Sequence, residues 1–417
     1  MLLIAAMTTL GPSAGLAERY SLLAPRDDFP LWQMMVSLAP TRESEPVDDS
    51  ESLPLVGATD VSRRRAILRA TGEAVERWAL RPSPWSGPTF ERGRRVEWAQ
   101  FGLANHDLGR KILVGKNIST SEPITIPIEL VEYDQANTGL ARAAQGNFEP
   151  TPSGAAAGET LDQAVVSGVL ELLERDAFMV AWARQLRIER IDAHTVGSVG
   201  GANPIKLVDL ARRMGLELVV GNLGCDVDGV KAIIAICLDR SAQLGAVGSK
   251  ASTSVANAVE GAIQESLQAL HLGRVIRRAV EGGQRTTSGL PRTEMDRARY
   301  WSGTDAYAVL DRWTQSFVNP SSIGGPASRP TPTPLESTIR CGFEPIVLDL
   351  SARLPARVRE IGWHAVKVLC PGLQPLRLDE TLSFSWLPSR LLSAERRTGY
   401  ASPLAEGEVF DVPHPLV

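Results

Sequence analysis

An α+β (mixed α/β) fold is predicted by three features of this 417-residue sequence. Hydrophobic residues make up 43% and charged residues 22%, the proportions of a chain that buries a core. Helical periodicities alternate with short β-branched runs. The two kinds of segment follow one another without the regular strand–helix–strand repetition of a doubly wound parallel sheet.

Taken in order, residues 1–55 form an expected N-terminal extension ending in the acidic segment Thr41–Ser52, an exposed loop or connection, and residues 56–417 form the expected main domain. A helix is predicted from Ser62 to about Leu80, with Asp60 or Ser62 as cap and Ala66, Leu68, Ala70, Val75 and Ala79 at apolar positions. Residues 110–135 are β-rich, through Ile112–Val114 and Ile126–Val131. A Gly/Ala turn over Ser153–Gly158 precedes a long helix from about Thr160, its N-cap, to Gln185. A helix over 204–214 and strands over Leu216–Val220 and Ala232–Leu238 come next. A third long helix runs from about Ser254 to Gly273, where the glycine is the expected stop. The stretch 319–334 carries Pro320, Pro326, Pro330, Pro332 and Pro334 and is predicted as a loop. A helix over 335–341 and strands over Pro345–Leu350 and Ala365–Cys370 complete the pattern, closed by Pro371-Gly-Leu-Gln-Pro375.

Composition excludes several classes. Lys+Arg 44 against Asp+Glu 48 gives a net charge of −4, so no basic surface offers itself to nucleic acid. Aromatic residues at 6% argue against a single-strand stacking platform. No run approaches the roughly 20 apolar residues of a membrane span, so no membrane partner is expected. Cys225, Cys237, Cys341 and Cys370 form no Cys-x-x-Cys pair, and the histidines are scattered, which removes disulfide frameworks and zinc sites. Reduced thiols fit a cytoplasmic protein. The start, Met1–Met7, lacks the basic region of an export signal.

Three predicted helices carry carboxylates, amides or hydroxyls at helical spacing: Glu73 with Glu76, Ser167 with Glu171 and Glu174, and Glu265 with Gln268. Residues three or four apart share a helix face. Glu171 and Glu174 lie in the otherwise apolar stretch Val165–Trp182, which predicts burial, and buried carboxylates require arginine or a metal. Carboxylates converging from separate helices would make the hard oxygen site that Mg2+ prefers, completed by phosphate oxygens. Each Glu-x-x-Glu-Arg is equally compatible with a salt-bridged helix face, and spacing alone leaves both open. Gly245-Ala-Val-Gly-Ser-Lys250 lacks the spacing of a phosphate loop, and Gly197–Gly201 follows no clear strand. Any nucleotide would therefore be held without the common loops.

Ser153-Gly-Ala-Ala-Ala-Gly158-Glu-Thr160 followed by Glu171-Leu-Leu-Glu174-Arg175-Asp176 resembles the second-helix pattern of the YcaO family. Gly72-Glu73-Ala-Val-Glu76-Arg77-Trp78 resembles the family's first ATP helix, Glu265-Ser-Leu-Gln268 its Glu-x-x-Gln step, and Pro371–Pro375 its Pro-Gly-Leu segment. The resemblance runs from about residue 56 to the end, in the right order. It implies an ATP fold in which clustered glutamates and Mg2+ hold the phosphates, and activation of a peptide backbone amide. Azoline-forming members let a Cys, Ser or Thr side chain attack the preceding carbonyl, phosphorylate the resulting oxyanion and expel phosphate; others make thioamides or macrocyclic amidines.

By position, the resemblance makes Glu73, Glu76, Glu171, Glu174 and Glu265 the Mg2+ and ATP carboxylates, with Ser167 and Gln268 in support. Arg175 would pair with phosphate through its fork, and Arg77 with phosphate or a neighbouring carboxylate. Two positions depart from the family pattern: Glu159 stands where Asn is usual and Gln163 where Glu is usual, which implies either compensation or a weakened nucleotide site. The ending Pro413-His-Pro-Leu-Val417 resembles the proline-rich tail of azoline-forming members, which makes His414 and the Val417 carboxylate the catalytic candidates for proton handling; a frayed tail is the alternative. The leading expectation is an ATP-dependent cyclodehydratase of ribosomally made peptides, acting on a precursor peptide with a separate E1-like leader-binding partner, and a possible homodimer. The alternatives are a stand-alone member making a macroamidine or thioamide, and a non-catalytic scaffold.

Overall fold

The computed structural model of the chain describes residues 3–40, 55–83, 94–101, 112–133, 151–192, 202–282, 289–319, 332–381 and 386–416. The acidic segment 41–52, the Gly197–Gly201 stretch, most of the proline-rich loop and Val417 lie outside the described residues.

The strands are β1 (Ala17–Leu23), β2 (Trp32–Leu38), β3 (Leu55–Asp60), β4 (Arg94–Arg95), β5 (Ile112–Asn117), β6 (Pro123–Pro127), β7 (Ala155–Gly158), β8 (Glu189–Ile191), β9 (Glu217–Asn222), β10 (Lys231–Asp239), β11 (Leu244–Ser252), β12 (Ile346–Asp349) and β13 (His364–Leu369). The helices are α1 (Leu3–Thr9), α2 (Arg63–Leu80), α3 (Leu161–Ala183), α4 (Ala202–Arg213), α5 (Val255–Glu281), α6 (Glu294–Trp301), α7 (Thr304–Gln315), α8 (Pro334–Arg340), α9 (Ala356–Ile361), α10 (Pro388–Leu392) and α11 (Ala394–Thr398). The class is α+β with mixed sheets, as the interleaved pattern predicts. No helix among the described residues is long and apolar enough to cross a membrane.

The chain forms two compact units. The first holds Met1–Trp98, Ala104–Val169 and Glu344–Pro371; the second holds Ala99–Leu103, Leu170–Phe343 and Gly372–Val417. The contacts therefore do not divide at residue 55. Residues 3–38, expected as an extension, supply α1, β1 and β2, and β2 pairs antiparallel with both β1 and β3. Its Met34, Val36 and Leu38 are buried, which is what anchors this segment.

In the first unit α2 packs on β2 and β3. Its start is held by Asp60 rather than by the Ser62 side chain: Asp60 Oδ1 accepts from Ser62 N at 2.9 Å, and Oδ2 faces Arg65 at 3.3 Å and Arg69 at 3.6 Å. The second sheet of this unit has the order β4-β6-β5-β12-β13-β7, antiparallel except for β4 with β6. The expected Gly/Ala turn is shorter than its composition suggests. Ala155–Gly158 is strand β7, paired with β13, because small side chains let it lie flat against α2.

The second unit is built on an antiparallel sheet in the order β11-β10-β9-β8, with β10 buried from Ala232 to Asp239. Helix α5 lies on β10 and β11, and α4 on β9 beside α5. Ser254 caps α5, its side chain accepting from Asn257 N at 3.4 Å. The helix does not stop at Gly273; it continues to Glu281 because its buried stripe continues, with Leu270 before the glycine and Ile276 after it. Gly273 instead packs on Leu244, whose side chain would lie 3.4 Å from an added Cβ. A second cluster surrounds Trp182, which meets Trp301, Trp313 and Phe410 edge to face at centroid distances of 5.7, 5.1 and 5.4 Å.

Candidate carboxylate site on a sheet edge

Strand β11 is an edge strand, so every second backbone N–H points away from its neighbour β10 and needs an acceptor. Two glutamates supply it. Ser249 N donates to Glu265 Oε2 at 2.9 Å, and Ala251 N donates to Glu174 Oε2 at 2.9 Å. The Ser249 hydroxyl donates to Glu174 Oε1 at 2.8 Å. The edge of one strand thus fixes a carboxylate from α3 next to a carboxylate from α5.

The approach depends on Gly248. A Cβ there would lie 2.3 Å from Ser266 N, 2.4 Å from Ala262 O and 2.7 Å from Glu265 Cβ. Only a residue without a side chain lets α5 come close enough for Glu265 to reach the strand.

Arg175 completes the cluster. Its Nε is 3.6 Å from Glu171 Oε1 and its Nη1 3.9 Å from Glu174 Oε1. Lys250 Nζ lies 3.7 Å from Glu174 Oε2. Glu174 is almost fully enclosed, with 3% side-chain exposure, whereas Glu171 and Arg175 keep 19% and 16%, which places them at the mouth. Burial, and then the Glu174 charge, push the Glu265 carboxyl up to about 7, against the pull of Arg175 and Lys250. A like-charge pair held on fixed backbone donors is a hard-oxygen donor set that a divalent cation would relieve. Among the described residues no three His, Cys, Asp or Glu side chains close on one point as a metal cage. The donor set therefore fits a cation that draws its remaining ligands from phosphate, the usual mode for Mg2+.

The structure thus gathers Glu171, Glu174, Arg175 and Glu265 in the second unit, with Gln268 one turn beyond Glu265 on α5. Ser167 is exposed on α3, four residues before Glu171. Glu73 and Glu76 stand part-buried on α2 of the first unit, where Glu73 Oε1 faces Arg77 at 3.9 Å and Arg77 lies over the Tyr133 ring at 5.5 Å. Gln163 works at the start of α3: its backbone N donates to Thr160 Oγ1 at 3.1 Å and its Oε1 accepts from Glu159 N at 3.0 Å. The Gln163 side chain therefore serves the helix cap, through the backbone of residue 159.

Sequence reasoning missed three contributors. Ser249 and Ala251 belong to strand β11, Leu244–Ser252, whose Gly245–Lys250 part resembles a phosphate loop without its spacing. The third is Asp176, the last residue of the Glu-x-x-Glu-Arg-Asp run. Its Oδ1 accepts from Gln374 N at 2.8 Å and from Arg390 Nε at 2.8 Å, and Arg390 also pairs with Asp226 at 3.1 Å. This buried network binds Gln374, the last residue of the Pro-Gly-Leu-Gln segment, to the C-terminal half of the glutamate helix.

His414 is 2% exposed. Its Nε2 hydrogen-bonds Arg377 O, its carbonyl accepts from Arg297 and Trp301, and its ring stands edge-on to Phe178. It lines a pocket of about 330 Å3 with Trp182, Trp386 and Phe410. Burial, then the charge of Arg297, hold the imidazole well below its usual value, and Arg175 contributes to the same effect. His414 is therefore neutral at pH 7, with its proton on Nε2 and Nδ1 as its basic nitrogen.

Comparison with known proteins points to one family. A family model described as YcaO cyclodehydratase, ATP- and Mg2+-binding, matches residues 57–374. An uncharacterized protein in the tfuA 3′ region of Rhizobium leguminosarum bv. trifolii is 26% identical over 204 residues, and the match spans 46% of this chain and 46% of that relative's length. YcaO from Methanopyrus kandleri, solved bound with AMPPCP and Mg2+, superposes with a TM-score of 0.64 at 18% identity, over 93% of this chain and 95% of that one. A heterocyclase in complex with substrate and cofactor gives 0.67 at 17% identity, over 99% of this chain and 57% of that one. The Escherichia coli microcin synthetase McbBCD complex with pro-MccB17 bound gives 0.57 at 14% identity, over 84% and 87%. At such identities these structures establish a shared fold.

Proposed function

This chain belongs to the YcaO family, whose cofactors are ATP and Mg2+, and on that premise we propose that it is an ATP-dependent cyclodehydratase of ribosomally made peptides. The observation that carries the reading is the pair Glu174 and Glu265, fixed side by side on the β11 edge with Glu265 pushed up to about 7. Such a pair is poised for a divalent cation.

In this reading Glu174 and Glu265 hold Mg2+, with Glu171, Glu73 and Glu76 as the further carboxylates and Ser167 and Gln268 in support. Arg175, at the mouth, takes a phosphate through its fork. ATP with Mg2+ supplies the phosphoryl group that turns an amide oxygen into a good leaving group and neutralises the charge that moves. A Cys, Ser or Thr side chain of the substrate would add to the preceding carbonyl, the oxyanion would take the terminal phosphoryl group of ATP with ADP leaving, and loss of phosphate together with the amide N–H proton would leave the C=N bond of a thiazoline or oxazoline. The proton released by the attacking side chain needs an acceptor. Neutral His414, through Nδ1, and the Val417 carboxylate are the candidates. The structural relatives include a heterocyclase in complex with substrate and cofactor and a microcin synthetase complex with pro-MccB17 bound, which supports a peptide substrate and partner proteins; in this reading the partner is a separate leader-binding protein.

The test is calorimetric titration of the chain with ATP and Mg2+, followed by mass spectrometry of a precursor peptide incubated with chain and partner. Wild type is expected to bind, and the peptide to lose one water per ring. Glu174→Ala is expected to lower ATP affinity at least about tenfold, since a charged hydrogen-bond or ligand contact is worth about 1.5–3 kcal/mol. Unchanged binding and peptide modification in Glu174→Ala would remove this cluster from the reaction.

A further inference from the structure

The stretch Gly245–Lys250 looks like a phosphate loop in sequence and is a strand in the structure, yet it delivers a lysine to the carboxylate site. The path of that side chain is built. A Cβ at Gly261 of α5 would lie 2.7 Å from Lys250 Cγ and 3.1 Å from its Cβ and Cδ, so the lysine stem lies in the gap that Gly261 leaves on the helix. This lays the stem against α5 and carries the ammonium to Glu174, the usual division of a lysine between stem and head.

At that end the ammonium is 3.7 Å from Glu174 Oε2, too long for a hydrogen bond, and the side chain keeps 49% exposure. Glu174 itself is already supplied by Ser249 Oγ and Ala251 N. Glu174 therefore does not depend on the lysine for its hydrogen bonds, and the half-exposed ammonium stands beside the carboxylate with donors available to a ligand. Glu171, Glu174 and Glu265 against Arg175 and Lys250 leave no positive excess when all are ionised. A polyphosphate held there needs each fixed cation it can meet.

We propose that Lys250 is a phosphate-binding residue, a fixed point charge that contacts the terminal phosphates of the nucleotide, held in place by Gly261. This rests on the reading of the carboxylate cluster as the nucleotide site.

The test compares binding of ATP, ADP and AMP, each with Mg2+, by calorimetry in wild type, Lys250→Met, Lys250→Arg and Gly261→Ala. Lys250→Met keeps the stem and removes the charge. It is expected to weaken ATP about ten- to a hundredfold, the worth of a charge-assisted hydrogen bond, and to leave AMP nearly unchanged. Lys250→Arg is expected to restore most of the ATP affinity, and Gly261→Ala to weaken ATP by pushing the stem aside. ATP affinity in Lys250→Met equal to wild type overturns the proposal, as does an equal loss for all three nucleotides, which would mark a structural role. If Glu174→Ala abolishes ATP binding while Lys250→Met does not, the lysine alone is wrongly assigned. If wild type binds no ATP at all, the reading of the cluster falls with it.

Discussion

Glu174 and Asp176 stand two residues apart on α3, roughly 200° around the helix, so they face different surroundings. Glu174 meets backbone and hydroxyl donors of β11; Asp176 meets Gln374 and Arg390. Glu174 has its cations, Arg175 and Lys250, at 3.9 and 3.7 Å, beyond hydrogen-bond reach, whereas Asp176 is hydrogen-bonded directly by Arg390 at 2.8 Å, although both carboxylates are buried in the same apolar helix. His414 shows the same logic with opposite sign. Its ring is enclosed and faces the fixed charges of Arg297, Arg175 and Arg377, so its protonation is disfavoured in the folded chain. Glu380, which pairs with Arg297 at 2.9 Å and Arg377 at 3.3 Å, offsets those charges in part. The sign for stability follows directly. Below about 6.5 the unfolded chain takes up a proton that the folded imidazole refuses, so stability falls as pH drops, by up to ~1.4 kcal/mol per pH unit, until the folded value is reached. Above 6.5 the group contributes no slope. Urea unfolding of wild type and His414→Phe between pH 5 and 7.5 should show the stability gap between them shrinking towards acid; parallel curves would refute this.

At the scale of elements, what decides the site is how closely α5 approaches β11, and that is set by Gly248. Gly248→Ala should force strand and helix apart, since its Cβ would meet backbone atoms at 2.3 and 2.4 Å that cannot rotate away. The expected cost is about 1–3 kcal/mol of stability, with loss of Mg2+-dependent ATP binding as Glu265 leaves Ser249 N; a chain that keeps full ATP affinity in calorimetry would contradict it. The same element shows where sequence reasoning stopped. Helices α2, α3 and α5 were legible because their apolar periodicity and caps are local. The carboxylates they carry were legible by spacing, and through the resemblance. Strand β11 was not, because Gly245 and Gly248 suit a loop locally and suit a strand only beneath a helix. Gly273 misled for the same reason: a glycine looks like a helix stop unless Leu244 is known to lie against it. Strands β1 and β2 went unseen because their reason for forming is pairing with β3, beyond the acidic segment.

At the scale of the whole molecule, the second unit is assembled from stretches far apart in the chain, and Arg297 is the residue that joins three of them. It is fully buried; Nη1 donates to Glu380 Oε1 at 2.9 Å and His414 O at 2.8 Å, and Nη2 donates to Leu378 O at 2.8 Å and Arg377 O at 3.2 Å. Trp301 Nε1 adds a bond to the same His414 carbonyl at 3.0 Å, and Trp182 Nε1 donates to Val412 O at 2.9 Å. A tail that composition alone would leave frayed is thus held by partners more than a hundred residues away, His414 by Arg297 across 117 positions, a relation no local pattern records. Arg297→Ala should leave Glu380 and several carbonyls short of donors, costing about 3–5 kcal/mol. The consequence is specific to the tail, because α6 keeps its own cap through Thr293, whose side chain accepts from Asp296 N at 3.0 Å. Carboxypeptidase digestion followed by mass spectrometry should halt before His414 in the wild-type chain and pass it in Arg297→Ala. The same variant should lose the His414-dependent acid slope of stability, since a ring released into water titrates as it does in the unfolded chain. A tail digested at the same rate in both chains would show that the aromatic cluster around Trp182, rather than the buried guanidinium, holds this end of the molecule.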